Sequence, residues 1–147
     1  MNKFLKFFTN VSIVIFLVVL LLVYAFLPDP LGILFDKNGV TVYEISKGTF
    51  FYSSLFVFVI VQIIFILFKK GSETKFNTQR PYLISWFQGF HLAINLFILL
   101  MLIFIGFANN AVNYTYDSIQ FLIYLGPLIV VLWLVMLPIF LILKKSW

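Results

Sequence analysis

An all-α integral membrane protein, a bundle of four transmembrane helices, is predicted by three observations. The chain has 147 residues, of which 63% are hydrophobic and only 10% charged, and its mean hydropathy is +1.12. The apolar residues gather into four stretches, about 7–27, 49–68, 83–108 and 119–143. Each is near the ~20 residues that an α-helix needs to cross about 30 Å of hydrocarbon. Lipid offers no partner to backbone N–H and C=O groups, so such stretches must be helices or a closed barrel. The alternation of a barrel strand is absent. One transmembrane domain, 1–147, accounts for the whole sequence.

The first stretch follows Lys3 and Lys6, as a signal peptide would. It is longer than a normal signal core, and Ala25-Phe26-Leu27-Pro28 lacks a small-x-small cleavage pattern, so it reads as a retained helix. Lys3, Lys6, Lys69, Lys70, Lys75, Arg80, Lys144 and Lys145 fall on one side of the four stretches, and Lys37 and Lys47 on the other. The bias of basic residues predicts both termini and the 69–82 loop in the cytoplasm, with loops 28–48 and 109–118 outside. Trp86 and Trp147 are then expected at the cytoplasmic interface, and Tyr114 and Tyr116 at the outer one. The overall look is that of a bacterial cytoplasmic (inner) membrane protein. The net charge of +5 sits at helix ends and sets topology, so no nucleic-acid partner is expected.

Several function classes are disfavoured. There is no cysteine, which removes thiol–disulfide chemistry and thiolate metal sites. His91 is the only histidine, so one chain cannot supply bis-histidine haem ligation. No Asp, Glu, Lys or Arg lies within the apolar cores, whereas ion-coupled transporters use membrane-embedded charges or unwound helices. No nucleophile–base–acid set can be assembled. The expectation is a protein that is not an enzyme and carries no cofactor and no metal.

The loop after the first helix carries the clearest local signal. Pro28 and Pro30 stop the helix. Asp36-Lys37-Asn38-Gly39 is turn chemistry, and Gly39 can take a positive φ. Ile33-Leu34-Phe35 and Val40-Thr41-Val42-Tyr43 flank it with β-branched and aromatic residues, which predicts a short extracytoplasmic β-hairpin. Phe35, Asp36, Lys37, Asn38, Gly39, Val40 and Tyr43 form a candidate docking surface on it.

Leu27-Pro28-Asp29-Pro30, then Phe35-Asp36, Gly39 and Lys47, resembles the segment after the first helix of the SdpI-like bacterial membrane proteins. The resemblance covers about residues 27–60. It implies an immunity or envelope-signalling role with the loop as receptor surface. Leu34 stands where that pattern has a histidine, so a function that depends on the histidine is not carried over.

Polar groups in apolar helices are costly and usually face the protein interior. Ser85, Gln88, His91 and Asn95 recur at steps of three, three and four, which places them on one face of the third helix. Gln62 on the second helix, with Asn10 and Ser12 on the first, is expected at a similar depth. Pro138 leaves the Leu134 carbonyl without its helical donor. The candidate intramembrane cluster is therefore Asn10, Ser12, Gln62, Gln88, His91 and Asn95. It serves either as interhelical hydrogen bonds that fix register or as a site centred on His91. Gly126-Pro127 predicts a kink with close packing. Gly71-Ser72-Glu73-Thr74 reads as a flexible inner turn, and Asn113-Tyr114-Thr115 matches a glycosylation sequon.

Three functions are carried forward. The first is a small non-catalytic subunit that docks to a larger inner-membrane assembly or self-associates, with the lipid bilayer as its surroundings. The second is the immunity or signalling role that the resemblance implies. The third is a proton or small-solute pathway lined by Gln88, His91 and Asn95.

Overall fold

The computed structural model describes the backbone of residues 3–76, 81–110 and 115–145, and the side chains of 3–71, 84–110 and 115–139. The order is α1 (Lys3–Phe26), β1 (Leu31–Phe35), β2 (Thr41–Ile45), α2 (Lys47–Phe76), α3 (Pro81–Ala108), α4 (Tyr116–Ile119) and α5 (Phe121–Lys145). Four of these helices are long and apolar enough to cross a membrane. Arg80, Asn113, Tyr114 and Trp147 lie outside the described residues.

The second helix corrects the expected inner turn. α2 continues through Gly71-Ser72-Glu73-Thr74 to Phe76. A single glycine costs a helix only about 1 kcal/mol, and the residues around it tolerate helical backbone. Pro81 then opens α3 at the position where a missing N–H does no harm.

The helices do not form an evenly packed bundle. α3 is the hub, packing on α1 along one flank and on α5 along the other. Only 6% of the α2 span is buried, against 28% for α3. Among the described residues, Phe58 is the one α2 side chain in the buried core, stacked on Phe16 of α1 with ring centroids 3.8 Å apart. Leu20, Val23 and Leu102 complete that cluster. A second cluster joins Phe104 of α3, Ile119 of α4 and Leu122 of α5.

The α3–α5 seam is closed by two tryptophans. Trp86 Nε1 donates to the Trp133 carbonyl (3.2 Å), and Trp133 Nε1 donates to the Trp86 carbonyl (3.1 Å). The Trp133 ring lies against Gly89, where a Cβ would overlap it. Trp86 is thus buried between α3 and α5, near the start of α3. Its indole finds a backbone acceptor there, which a buried Trp requires. Lower on the same seam, Gly126 abuts Phe97 and Met101, in accord with the close packing expected at Gly126-Pro127. α5 runs unbroken through Pro127 and Pro138.

The hairpin forms where it was expected. β1 and β2 pair antiparallel, and Ile33 and Val42 are each an extra residue at compensating bulges. Asp36 organises the turn: its Oδ1 accepts from the N–H groups of Asn38 and Val40, both at 2.8 Å. Gly39 has φ 79°. The hairpin leans on its own chain. Asn109, just after α3, exchanges two hydrogen bonds with the Gly32 backbone, at 2.7 and 2.8 Å. Phe35 sits among Phe104 and Tyr116.

Candidate functional site

The polar groups of α1, α2 and α3 meet in one continuous chain. His91 Nε2 lies 2.7 Å from Gln62 Oε1. Gln62 Nε2 donates to Asn95 Oδ1 at 2.8 Å, and Asn95 Nδ2 donates to Ser12 Oγ at 3.0 Å. Ser12 Oγ donates to the Thr9 carbonyl at 2.7 Å, and Thr9 Oγ1 to the Leu5 carbonyl at 2.9 Å. Asn95 is fully buried.

The direction of every bond follows from one end. A hydroxyl has a single proton, and that of Ser12 is committed to the Thr9 carbonyl. Ser12 must therefore accept from Asn95, which turns the amide of Asn95 toward it. Asn95 Oδ1 then needs a donor, so Gln62 presents its NH₂ there and its Oε1 to His91. His91 must donate from Nε2, which leaves Nδ1 as the acceptor of the neutral ring. A helix carbonyl on α1 thus sets the histidine tautomer on α3. The ring itself stacks on Phe65, with centroids 4.3 Å apart and planes 9° apart.

Two of the expected members stand apart. Asn10 is exposed, and Thr9 takes its inward place. Residues two apart on a helix lie about 200° apart around the axis, so Asn10 and Ser12 cannot share a face, whereas Thr9 and Ser12 can. Gln88 does not join the chain. It lines a cavity of about 40 Å³ with Phe65, Phe68, Lys69, Ile84, Phe87 and His91. Its buried Oε1 has no hydrogen-bond partner among the described residues. The cavity exceeds the ~10–15 Å³ that a water needs. Among the described residues, the cluster does not use the Leu134 carbonyl; the Trp133 carbonyl on α5 accepts from Trp86 instead.

Comparison with known proteins finds no matching family model, curated relative or solved structure. The chemistry must be read from the geometry alone. The chain of bonds runs from His91 inward and stops at main-chain carbonyls of α1. A carbonyl has no proton to pass on, so the chain has a closed end. What it does is tie three helices at one height.

That reading predicts a contrast at His91. His91→Gln keeps a donor toward Gln62 and is expected to change bundle stability by less than about 0.5 kcal/mol. His91→Leu removes the donor and is expected to cost on the order of 1 kcal/mol. Unfolding titrations in mixed micelles measure both. Equal costs for the two variants would show that the hydrogen bond is not what His91 contributes.

Apart from Asp36, which organises the turn, the candidate hairpin residues divide into two groups. Phe35 and Gly39 face the protein: the turn rests on Tyr116, whose Cγ lies 2.7 Å from where a Gly39 Cβ would be. Lys37, Asn38, Val40 and Tyr43 are exposed, as are Leu34 and Val42. Gly39→Val meets both the positive φ and the Tyr116 ring. It is expected to cost about 1–3 kcal/mol and to free the turn from α4. Faster amide exchange at Asn38 and Val40 would report it; exchange as slow as in the parent would contradict it.

Proposed function

We propose that the chain is a small non-catalytic membrane subunit that docks to a larger membrane assembly or to copies of itself. Its basic end faces the bacterial cytoplasm, and its hairpin lies outside the inner membrane. The observation that carries this reading is the outer face of the hairpin. Leu34, Val40, Val42 and Tyr43 are all more than half exposed there. In the proposed orientation this face lies at the outer boundary of the membrane. An exposed apolar patch of this kind marks an interaction surface. The hairpin is held firmly from behind by Asn109, Phe104 and Tyr116, so it presents that face without having to order on binding.

The closed hydrogen-bond chain supports the same reading over a proton or solute pathway, because it fixes helices and leads nowhere. The immunity or envelope-signalling role would use the same hairpin face, with a peptide as the bound partner.

A photo-crosslinking residue at Val42 tests the proposal in native membranes. A discrete protein adduct that disappears in the Tyr43→Lys variant is the expected result. Adducts to lipid alone would end the docking reading, and a short peptide adduct would favour immunity or signalling. Orientation is tested separately. A reporter fused after Trp147 is expected to read cytoplasmic and one inserted after Asn38 external; the opposite result reverses the proposed topology.

A further inference from the structure

The end of the fold where α1 begins and α2 and α5 finish is strongly basic. Lys3 and Lys6 open α1, Lys69, Lys70 and Lys75 lie near the end of α2, and Lys144 and Lys145 close α5. Glu73 is the one acid that the helices bring to this end; Asp29, Asp36, Glu44 and Asp117 belong to the hairpin end. α1 and α2 run antiparallel, with Phe16 on Phe58 and Tyr24 beside Phe51. Continuing that pairing brings Lys6 level with Phe68 and Lys69. Two neighbouring helices therefore set their lysine pairs at one height.

Large apolar side chains flank those lysines. Phe4, Phe7 and Phe8 are exposed beside Lys3 and Lys6, and Leu67 and Phe68 beside Lys69 and Lys70. An apolar body with a cationic tip suits the boundary between acyl chains and headgroups. A free anion in water would have no use for the phenylalanines. The favoured source of negative charge is thus the membrane itself.

We propose that this end of the protein holds anionic phospholipid headgroups in preference to zwitterionic ones, through Lys3 and Lys6 on α1 and Lys69 and Lys70 on α2. The acyl chains of the same lipids lie along the exposed phenylalanines. A lysine near an anionic surface strengthens association about fivefold, and the preference fades as salt screens it.

The test uses the full chain in detergent with an equal mixture of phosphatidylglycerol and phosphatidylcholine, bound lipid being counted by native mass spectrometry. Phosphatidylglycerol is expected to be retained at least about fivefold over phosphatidylcholine at low salt. Lys3→Gln with Lys6→Gln, and Lys69→Gln with Lys70→Gln, should each lower that ratio, and all four together should bring it near parity. Lys37→Gln, at the other end, should leave it unchanged. Circular dichroism confirms that each variant is helical, and if the fourfold variant unfolds the two double variants decide. Parity in the parent chain, or a preference that survives both double variants, overturns the proposal. Displacement of phosphatidylglycerol by inorganic phosphate at constant ionic strength also overturns it, in favour of a free-anion site.

Discussion

Asn95→Leu is expected to be the most damaging single substitution in the hydrogen-bonded layer. Among the described residues of this layer, Asn95 alone hydrogen-bonds to both other helices, donating to Ser12 on α1 and accepting from Gln62 on α2. Each such bond between membrane helices is worth about 0.6 kcal/mol and up to about 1.7. The loss also strands the Gln62 amide in an apolar surround, which adds about 1–3 kcal/mol. A total near 3 kcal/mol is therefore expected, several times the effect of His91→Leu at the end of the same chain. Unfolding in mixed micelles gives the number. A cost below about 0.5 kcal/mol would mean that the layer does not hold the helices. Ser12→Ala, which removes the bond from Asn95 and the local one to the Thr9 carbonyl but leaves the Gln62–Asn95 bond in place, should fall between.

Gly89→Val is expected to have a comparable effect on the other seam. The Trp133 ring occupies the space that a side chain at this position would need, so α5 must move off α3. Overpacking alone costs about 1–3 kcal/mol. The displacement also breaks the two indole–carbonyl bonds between Trp86 and Trp133, which depend on the close approach. Tryptophan emission should shift to longer wavelength as the indoles lose their partners. Adding Trp133→Ala to Gly89→Val should recover part of the overpacking cost. Additive losses in the double variant would show that the ring and the glycine do not meet.

How far the sequence could be read depended on the range of the interaction. The hairpin was legible because its causes are local. Asp36 bonds two and four residues ahead, and Gly39 supplies the positive φ within the same turn. The third-helix face was legible because Gln88, His91 and Asn95 obey the helical repeat. The Asn10 assignment failed a rule that was available, since two residues along a helix turn the side chain away. Thr9 went unnoticed because a threonine bonded to its own helix leaves no mark in a polarity pattern. Trp86, Gly89 and Trp133 form a lock only when two helices 47 residues apart come together, and no pattern within either helix announces it. Asn109 looked like loop composition. Its value lies in copying a backbone pairing onto Gly32, 77 residues earlier.

The place of α3 at the centre has a consequence for how the protein is made. Helices leave the ribosome in order, so α1 and α2 reach the bilayer first. At that moment Gln62 faces hydrocarbon with neither Asn95 nor His91 present. The two early helices meet at the Phe16–Phe58 stack and where Tyr24 lies beside Phe51. Gln62 therefore gains its two side-chain partners only once α3 is in place. A product truncated before Pro81 is expected to leave Gln62 without those partners.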